Sequence, residues 1–132
     1  MPLVWVRYKF ETIFGFRTLE RSLKLKKLCQ EILPREVSRT LHIEEIDEAH
    51  LTPEDIEVWT NQTNPYLDVQ KVDVAIIVDA NEYDARDAKK YWAAKEIADQ
   101  AHQTLGEGVS GSVWIKPAYE EFGLPEETPR TA

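Results

Sequence analysis

The sequence predicts an α/β fold in which a strand–helix–strand pattern occurs twice. Two apolar, β-branched runs, at 3–10 and 72–78, each precede a segment with apolar residues at three- and four-residue spacing. A further strand-like segment follows each helix, so each pattern spans roughly 45 residues, enough for a βαβ crossover. Because such crossovers are right-handed, we expect parallel strand pairs in one four-stranded sheet, with two helices on one face.

The first unit covers residues 2–47 and opens with a strand from Leu3 to about Phe10. Leucine and isoleucine spacing then predicts a helix from Thr18 towards Leu33. Pro34 lacks an N–H group and is expected to end or kink this helix. A second strand is predicted over Thr40–Ile46.

The second unit covers residues 71–117 and contains the clearest strand, Val72–Val78. Asp84 is a suitable N-cap for the following helix, and Gly106 suits the position after its last residue. The expected apolar face of this helix consists of Ala88, Tyr91, Ala94, Ala98, Ala101 and Leu105. The last strand is predicted over Gly111–Lys116.

Two segments lie outside the repeated units, although the whole chain, 1–132, is expected to form one domain. Residues 48–70 connect the units and contain Thr52-Pro53-Glu54-Asp55, which is typical of the start of a short helix. Residues 118–132 are predicted to be a tail that forms a surface or intersubunit arm.

The charge of the chain argues against nucleic-acid binding. The formal net charge is −8, from 24 acidic and 16 basic residues, and such a surface repels phosphate backbones. No apolar stretch approaches the roughly 20 residues of a membrane span, and residues 1–30 do not match a signal peptide. We therefore expect a cytoplasmic protein that does not bind membranes.

The pattern of the strands predicts an oligomer. A single sheet covered by helices on one face leaves the other face bare, and alternating Val, Trp and Ile residues make that face apolar. We expect this face to pack against other subunits.

Three further groups of residues are interpreted as structural. The acidic run that ends in His50 (Glu44, Glu45, Asp47, Glu48) has neither a two-histidine helix spacing nor an EF-hand spacing, and is interpreted as a solvated surface rather than a metal site. Cys29 is interpreted as a small core residue. The basic cluster Lys24, Lys26 and Lys27 is interpreted as a solvated helix face. Neither a metal nor an organic cofactor is expected.

Pro2 is the strongest candidate for chemistry. Removal of Met1 would leave a secondary amine at the start of the first strand. An α-amino group has a pKa of about 7.7–8.0, and burial or a nearby cation lowers it, so that a neutral amine is available near pH 7 for proton transfer. The alternative is that Pro2 merely begins an edge strand, where a missing N–H group costs nothing.

A Met-Pro start that opens a repeated βαβ unit resembles the tautomerase superfamily, and the resemblance covers about residues 2–117. It implies a trimer that uses no cofactor and holds an amino-terminal proline in each active-site pocket. It also implies a proton transfer on a small 2-oxo or 2-hydroxy acid, with the proline as general acid and base.

The resemblance also implies residues that bind the substrate carboxylate. Phe16-Arg17-Thr18 resembles the family segment that supplies one arginine, and Arg39, five residues after Pro34, resembles the second. If the second strand is shifted, His42 replaces Arg39 as the polar residue that points into the pocket. Trp114 lies on the last predicted strand, which borders the pocket in relatives.

Two alternative functions remain open. Decarboxylating and dehalogenating relatives carry arginines on the third strand, where this chain has Gln70, Lys71 and Asp73, which argues against those chemistries. The other alternative is a non-catalytic α+β module for oligomeric association or ligand sensing. An enzyme needs Met1 removed and Pro2 facing a cavity, whereas an association module needs neither.

Overall fold

The structure, a computed structural model, describes residues 2–9, 16–62 and 72–124 of the 132 residues. Its strands are β1 (Leu3–Tyr8), β2 (Glu57–Gln62), β3 (Val74–Asp79), β4 (Gly111–Ile115) and β5 (Ala118–Phe122). Its α-helices are α1 (Phe16–Lys27), α2 (Leu33–Leu41), α3 (Asp84–Asp87) and α4 (Lys90–Leu105). No helix in the described ranges is long and apolar enough to cross a membrane.

The helical segment of the first unit continues through Pro34, so of the two predicted effects of this proline, the end of the helix is wrong. A π-helical segment, Leu28–Ile32, joins α1 to α2, and the Leu33 N–H donates to the carbonyl of Leu28, five residues earlier. Pro34 then lies in the first turn of α2, where a backbone N–H is not needed. The wider turn accommodates the proline, and the helical segment runs on to Leu41.

The strand predicted over Thr40–Ile46 is also wrong. Thr40 and Leu41 complete α2, and the following loop is closed by a hydrogen bond from the Ile43 N–H to the Ala49 carbonyl (3.1 Å). The apolar residues of this stretch are buried by helix packing and by that loop rather than by a sheet. The second strand is instead β2, which lies inside the predicted connecting segment 48–70.

The short helix predicted after Thr52 is confirmed as a 3₁₀ turn, Pro53–Asp55. The Thr52 N–H donates to Asp55 Oδ2 (2.8 Å), which completes a capping box. This turn leads directly into β2.

The sheet is mixed and has five strands, in the order β2-β1-β3-β4-β5, rather than the four predicted. Strands β1 and β2 are parallel, as are β3 and β4, and the two pairs meet through the antiparallel contact of β1 with β3. The fifth strand, β5, pairs antiparallel with β4 and comes from the segment predicted to be a tail.

The helix of the second unit is divided into α3 and α4 by a turn at Ala88 and Lys89. Asp84 is the first helical residue rather than the N-cap, whereas Gly106 follows the last turn with a φ of +80°, as predicted. The predicted apolar face is partly wrong, because Ala88 is exposed and Tyr91 is 65% exposed.

The hydrophobic core lies between the sheet and the helices, which cover one face. Helix α2 packs on α4, and both contribute to a single buried cluster with β1, β3 and β4. Its fully buried members include Val4, Leu33, Ile76, Ile97 and Val113.

The opposite face of the sheet carries one apolar side chain from every strand in a single register row. The pairs Trp59–Trp5, Trp5–Ile77, Ile77–Trp114 and Trp114–Tyr119 are all register partners. We call these five residues the apolar row. Its aromatic members are 42–50% exposed, so the bare apolar face that the sequence predicts is present.

Candidate active site

Pro2 lies immediately before β1 and is buried. Its carbonyl accepts a hydrogen bond from the Glu57 N–H (3.2 Å), which ties it to the start of β2. Since β1 has neighbours on both sides, Pro2 begins a central strand and not an edge strand. The interpretation of Pro2 as an edge residue therefore does not explain its position.

Several chain segments meet at this edge of the sheet, which we call the Pro2 edge. It is the edge at which β1 and β2 begin and at which β3 and β4 end. In the sheet register, Leu3 pairs with Glu57 of β2 on one side and with Asp79 of β3 on the other. Helix α4 also begins here, because Lys90 Nζ donates to the carbonyl of Lys116, just after β4 (2.9 Å).

Arg86 is a buried cation near this edge, with 2% of its surface exposed. Its Nε donates to the Leu41 carbonyl (3.0 Å) and its Nη1 to the Asn81 carbonyl (2.6 Å), and the guanidinium lies over the Tyr83 ring. Burial lowers the pKa of this guanidinium from its ordinary value. The group binds the carboxyl-terminal carbonyl of α2, where a positive charge is favourable.

Two lysines at the Pro2 edge differ in their partners. The buried ammonium of Lys90 contacts Asp87 Oδ1 (2.7 Å). Lys116 is exposed, and within the described ranges no carboxylate lies within 4 Å of its ammonium. Lys116 is thus a cation at this edge whose charge is available to an anion.

Arg39, a predicted carboxylate ligand, lies in α2 rather than in a segment after the helix. Its guanidinium contacts Glu36 Oε2 (2.6 Å) and Glu96 Oε2 (3.5 Å), and it stacks over Trp92. The hydrogen bonds that Arg39 donates to Glu36 are the main cause that raises the pKa of Arg39. The charge of Arg39 is therefore already neutralised by two carboxylates, one on α2 and one on α4.

The other predicted arginine, Arg17, belongs to the first turn of α1 rather than to the residues before the helix. Its side chain lies outside the part of the chain that the structure describes.

His42 follows α2 and forms a compact cluster with Glu44 and His50. Its Nδ1 accepts a hydrogen bond from the Leu51 N–H (2.9 Å), and its Nε2 lies 2.8 Å from Glu44 Oε2. The His50 Nε2 bonds to the Glu44 carbonyl (2.7 Å), and the two imidazoles stack with ring centres 4.9 Å apart. The hydrogen bond with His42 lowers the pKa of Glu44, and that with the Glu44 carbonyl raises the pKa of His50.

The cluster has the ligand types of a metal site, with its ligand atoms within 4.8 Å of one another. However, the Leu51 N–H fixes Nδ1 of His42 as an acceptor, so the neutral ring carries its proton on Nε2. A metal at Nε2 would have to displace that proton and break the Leu51 bond. Hydrogen bonds among the members account for the cluster.

Trp114, the last predicted pocket residue, belongs to the apolar row and is 49% exposed. Its ring meets Tyr119 edge to face, with ring centres 6.3 Å apart. Of the predicted residues, Pro2 precedes β1 at the Pro2 edge and His42 belongs to the loop that leads towards β2. Arg39 lies between α2 and α4, and Trp114 lies on the face of the sheet opposite the helices.

Arg86 and Lys90 were missed by the sequence analysis. Their spacing contains a usable pattern, because Arg86 and Lys90 continue the buried stripe of Ala93, Ala94 and Ile97 at three- and four-residue steps. Their charges concealed that pattern, since cations are almost never buried without partners.

Comparison of the chain with protein-family models, with curated proteins and with solved structures found no match. The resemblance to tautomerases therefore depends on the amino-terminal Met-Pro and on the repeated strand–helix–strand pattern.

Proposed function

We propose that the protein is a tautomerase-type isomerase that moves a proton on a small 2-oxo or 2-hydroxy acid, without a cofactor, in the cytoplasm. After removal of Met1, the Pro2 nitrogen accepts the proton of an enol hydroxyl. The protonated amine then returns that proton to the carbon of the C=C bond that does not carry the hydroxyl, which completes conversion of the enol to the keto form.

The observation that carries this proposal is the burial of Pro2 at the start of a central strand. Burial disfavours a charged amine and so lowers its pKa. The two parallel strand pairs, joined through β1 and β3, support the proposal because tandem βαβ units would produce this pairing.

Substrate binding requires a cation that faces the carboxylate. The proposal retains Arg17, Arg39 and His42 as candidates, and adds Lys116 because its ammonium is not paired with a carboxylate in the described structure. The sheet register favours this addition. Strands β3 and β4 are parallel and end at the edge where Leu3 pairs with Asp79, so Lys116, directly after β4, lies at the Pro2 edge.

We expect Lys116→Gln to raise KM for an anionic substrate more than Arg39→Gln does. Loss of one charge-assisted contact costs about 1.5–3 kcal/mol, which is roughly a 10- to 100-fold increase. Lys95→Gln, an exposed lysine on α4, is the matched control. Steady-state kinetics in which Lys116→Gln equals the control would remove Lys116 from the site.

The proposal includes a homotrimer in which the apolar row packs between subunits. The second candidate function, a non-catalytic association module, is favoured by the same row and requires no activity. The two functions differ in their dependence on Pro2.

We expect light scattering to give a mass of about 46 kDa, three times the 15.3 kDa of one chain. Trp5→Lys places a charge in the apolar row and should shift the protein towards the monomer. Leu23→Lys, at a leucine 59% exposed on α1, is the control and should not. A wild-type monomer at micromolar concentration would contradict the assembly.

The test of the activity is ketonisation of phenylenolpyruvate, followed by absorbance, with intact mass recorded for the same sample. The proposal predicts protein that lacks Met1 and that accelerates the reaction above buffer. Protein lacking Met1 without any acceleration, for this substrate and for 2-hydroxymuconate, would leave the association module as the better account.

A further inference from the structure

A concave site lies at the opposite end of β1 from Pro2. It is a cavity of about 280 Å³ between α1, the π-helical segment and the ends of β1 and β2. Tyr8 and Thr60 line it from the strands, and Ser22, Lys26 and Gln30 line it from the helical side. The six residues of β1 separate it from Pro2 by roughly 20 Å, at about 3.3 Å per residue.

The π-helical segment forms part of the cavity wall. Cys29 and Gln30 belong to this wider turn, which the chain adopts before Pro34. Such turns occur frequently at functional sites. The deviation from α-helical geometry and the cavity therefore fall at the same place in the fold.

The cavity combines an apolar floor with polar groups at its rim. Leu25 is 7% exposed and Cys29 is half-buried, and burial raises the pKa of the Cys29 thiol to about 11. This thiol is therefore protonated near neutral pH and behaves as an apolar surface. Rim residues Ser22, Thr60 and Gln30 are exposed and offer two hydroxyls and an amide.

Lys26 gives the cavity a preference for a negatively charged ligand. In the same basic cluster, Lys24 pairs with Glu20 (3.0 Å), whereas in the described part of the chain no carboxylate lies within 4 Å of the Lys26 ammonium. A cation beside an apolar floor and neutral hydroxyls suits a small monocarboxylate with an apolar body.

We propose that this cavity is a binding site for a small monocarboxylate, distinct from the Pro2 edge. Its volume holds roughly ten non-hydrogen atoms, at about 30 Å³ for each water-sized group. The apolar body lies over Leu25 and Cys29, and the carboxylate contacts Lys26 and the rim hydroxyls.

Cys29 is the only cysteine of the chain, so its alkylation reports occupancy of the cavity. Iodoacetamide modification is followed by mass spectrometry at pH 9, with benzoate as the probe and benzamide as its neutral counterpart. At a benzoate concentration ten times Kd, about one tenth of the protein is free, so the rate should fall about tenfold.

Lys26→Gln should weaken benzoate binding about five- to tenfold and leave benzamide binding unchanged. Lys27→Gln, the neighbouring exposed lysine that is not among the lining residues, is the matched control and should change neither. Ser22→Phe fills the cavity from an exposed position and should abolish protection by both probes. Pro2→Ala should leave protection intact.

Three results would overturn the proposal. They are alkylation that benzoate does not slow in a saturable way, equal effects of Lys26→Gln and Lys27→Gln, and loss of protection in Pro2→Ala. The last result would show that protection of Cys29 depends on the Pro2 edge. The proposed activity is measured without alkylation of Cys29, so failure of this inference is distinguishable from failure of the proposed activity.

Discussion

Pro2→Ala is expected to lower kcat/KM for phenylenolpyruvate roughly 10- to 100-fold, because a positioned acid–base group contributes about 10²–10⁴-fold and the alanine amine retains part of this. The variant presents a primary amine that is more flexible and has a different basicity. Since Pro2 lies before β1 and is not a member of the buried apolar cluster, the proposed oligomer should survive the change.

The matched control is Pro53→Ala, which makes the same chemical change at an exposed position in a 3₁₀ turn. Steady-state kinetics and light scattering are measured on both variants. Equal rates for Pro2→Ala, Pro53→Ala and wild type would remove Pro2 from the mechanism, even if the assembly is confirmed.

Leu33→Ala is expected to have the largest effect on stability, a loss of about 2–5 kcal/mol in the free energy of unfolding. The side chain is fully buried, and its backbone N–H closes the π-helical segment that permits Pro34. Truncation leaves a cavity where the helical segment packs on the sheet.

Leu23→Ala is the control, because this leucine is 59% exposed on α1 and its truncation should change stability by less than about 0.5 kcal/mol. Urea unfolding is measured at one protein concentration, since subunit association changes apparent stability. Similar midpoints for the two variants would mean that Leu33 is not part of the core that we describe.

The sequence predicted those elements whose local pattern and burial agree. Strands β1, β3 and β4 have apolar, β-branched residues that pack on helices, and Gly106 ends α4 where the pattern places it. Strand β2 was missed because most of its residues, Glu57–Gln62, are polar and exposed. The strand-favouring run Val58-Trp59-Thr60 is too short to distinguish an edge strand from a loop.

The segment before β2 illustrates a competing effect. Leu41 and Ile43 alternate with polar residues as in a strand. However, Leu41 is a buried residue of the last turn of α2, and Ile43 is a buried residue of a closed loop. Pro34 predicts an end or a kink of its helix, whereas it lies in the first turn of a continuing helical segment, because a single sequence does not indicate a π-helical turn.

The candidate site was predictable only in part. The sequence singled out Pro2 because an amino-terminal proline has distinctive chemistry. Whether a given cation is neutralised depends in part on tertiary contacts, such as that of Arg39 with Glu96. Lys116 stands apart from other surface lysines only when its position beside the Pro2 edge and its lack of a carboxylate partner in the described ranges are known.

The central claim is that the free secondary amine of Pro2 transfers the proton, and retention of Met1 tests it most directly. The two forms, one starting at Pro2 and one at Met1, are identified by intact mass and assayed side by side with phenylenolpyruvate. An amide nitrogen has no basic lone pair, so the account predicts a rate about 10²–10⁴-fold lower for the form that retains Met1. Equal rates for the two forms would contradict it.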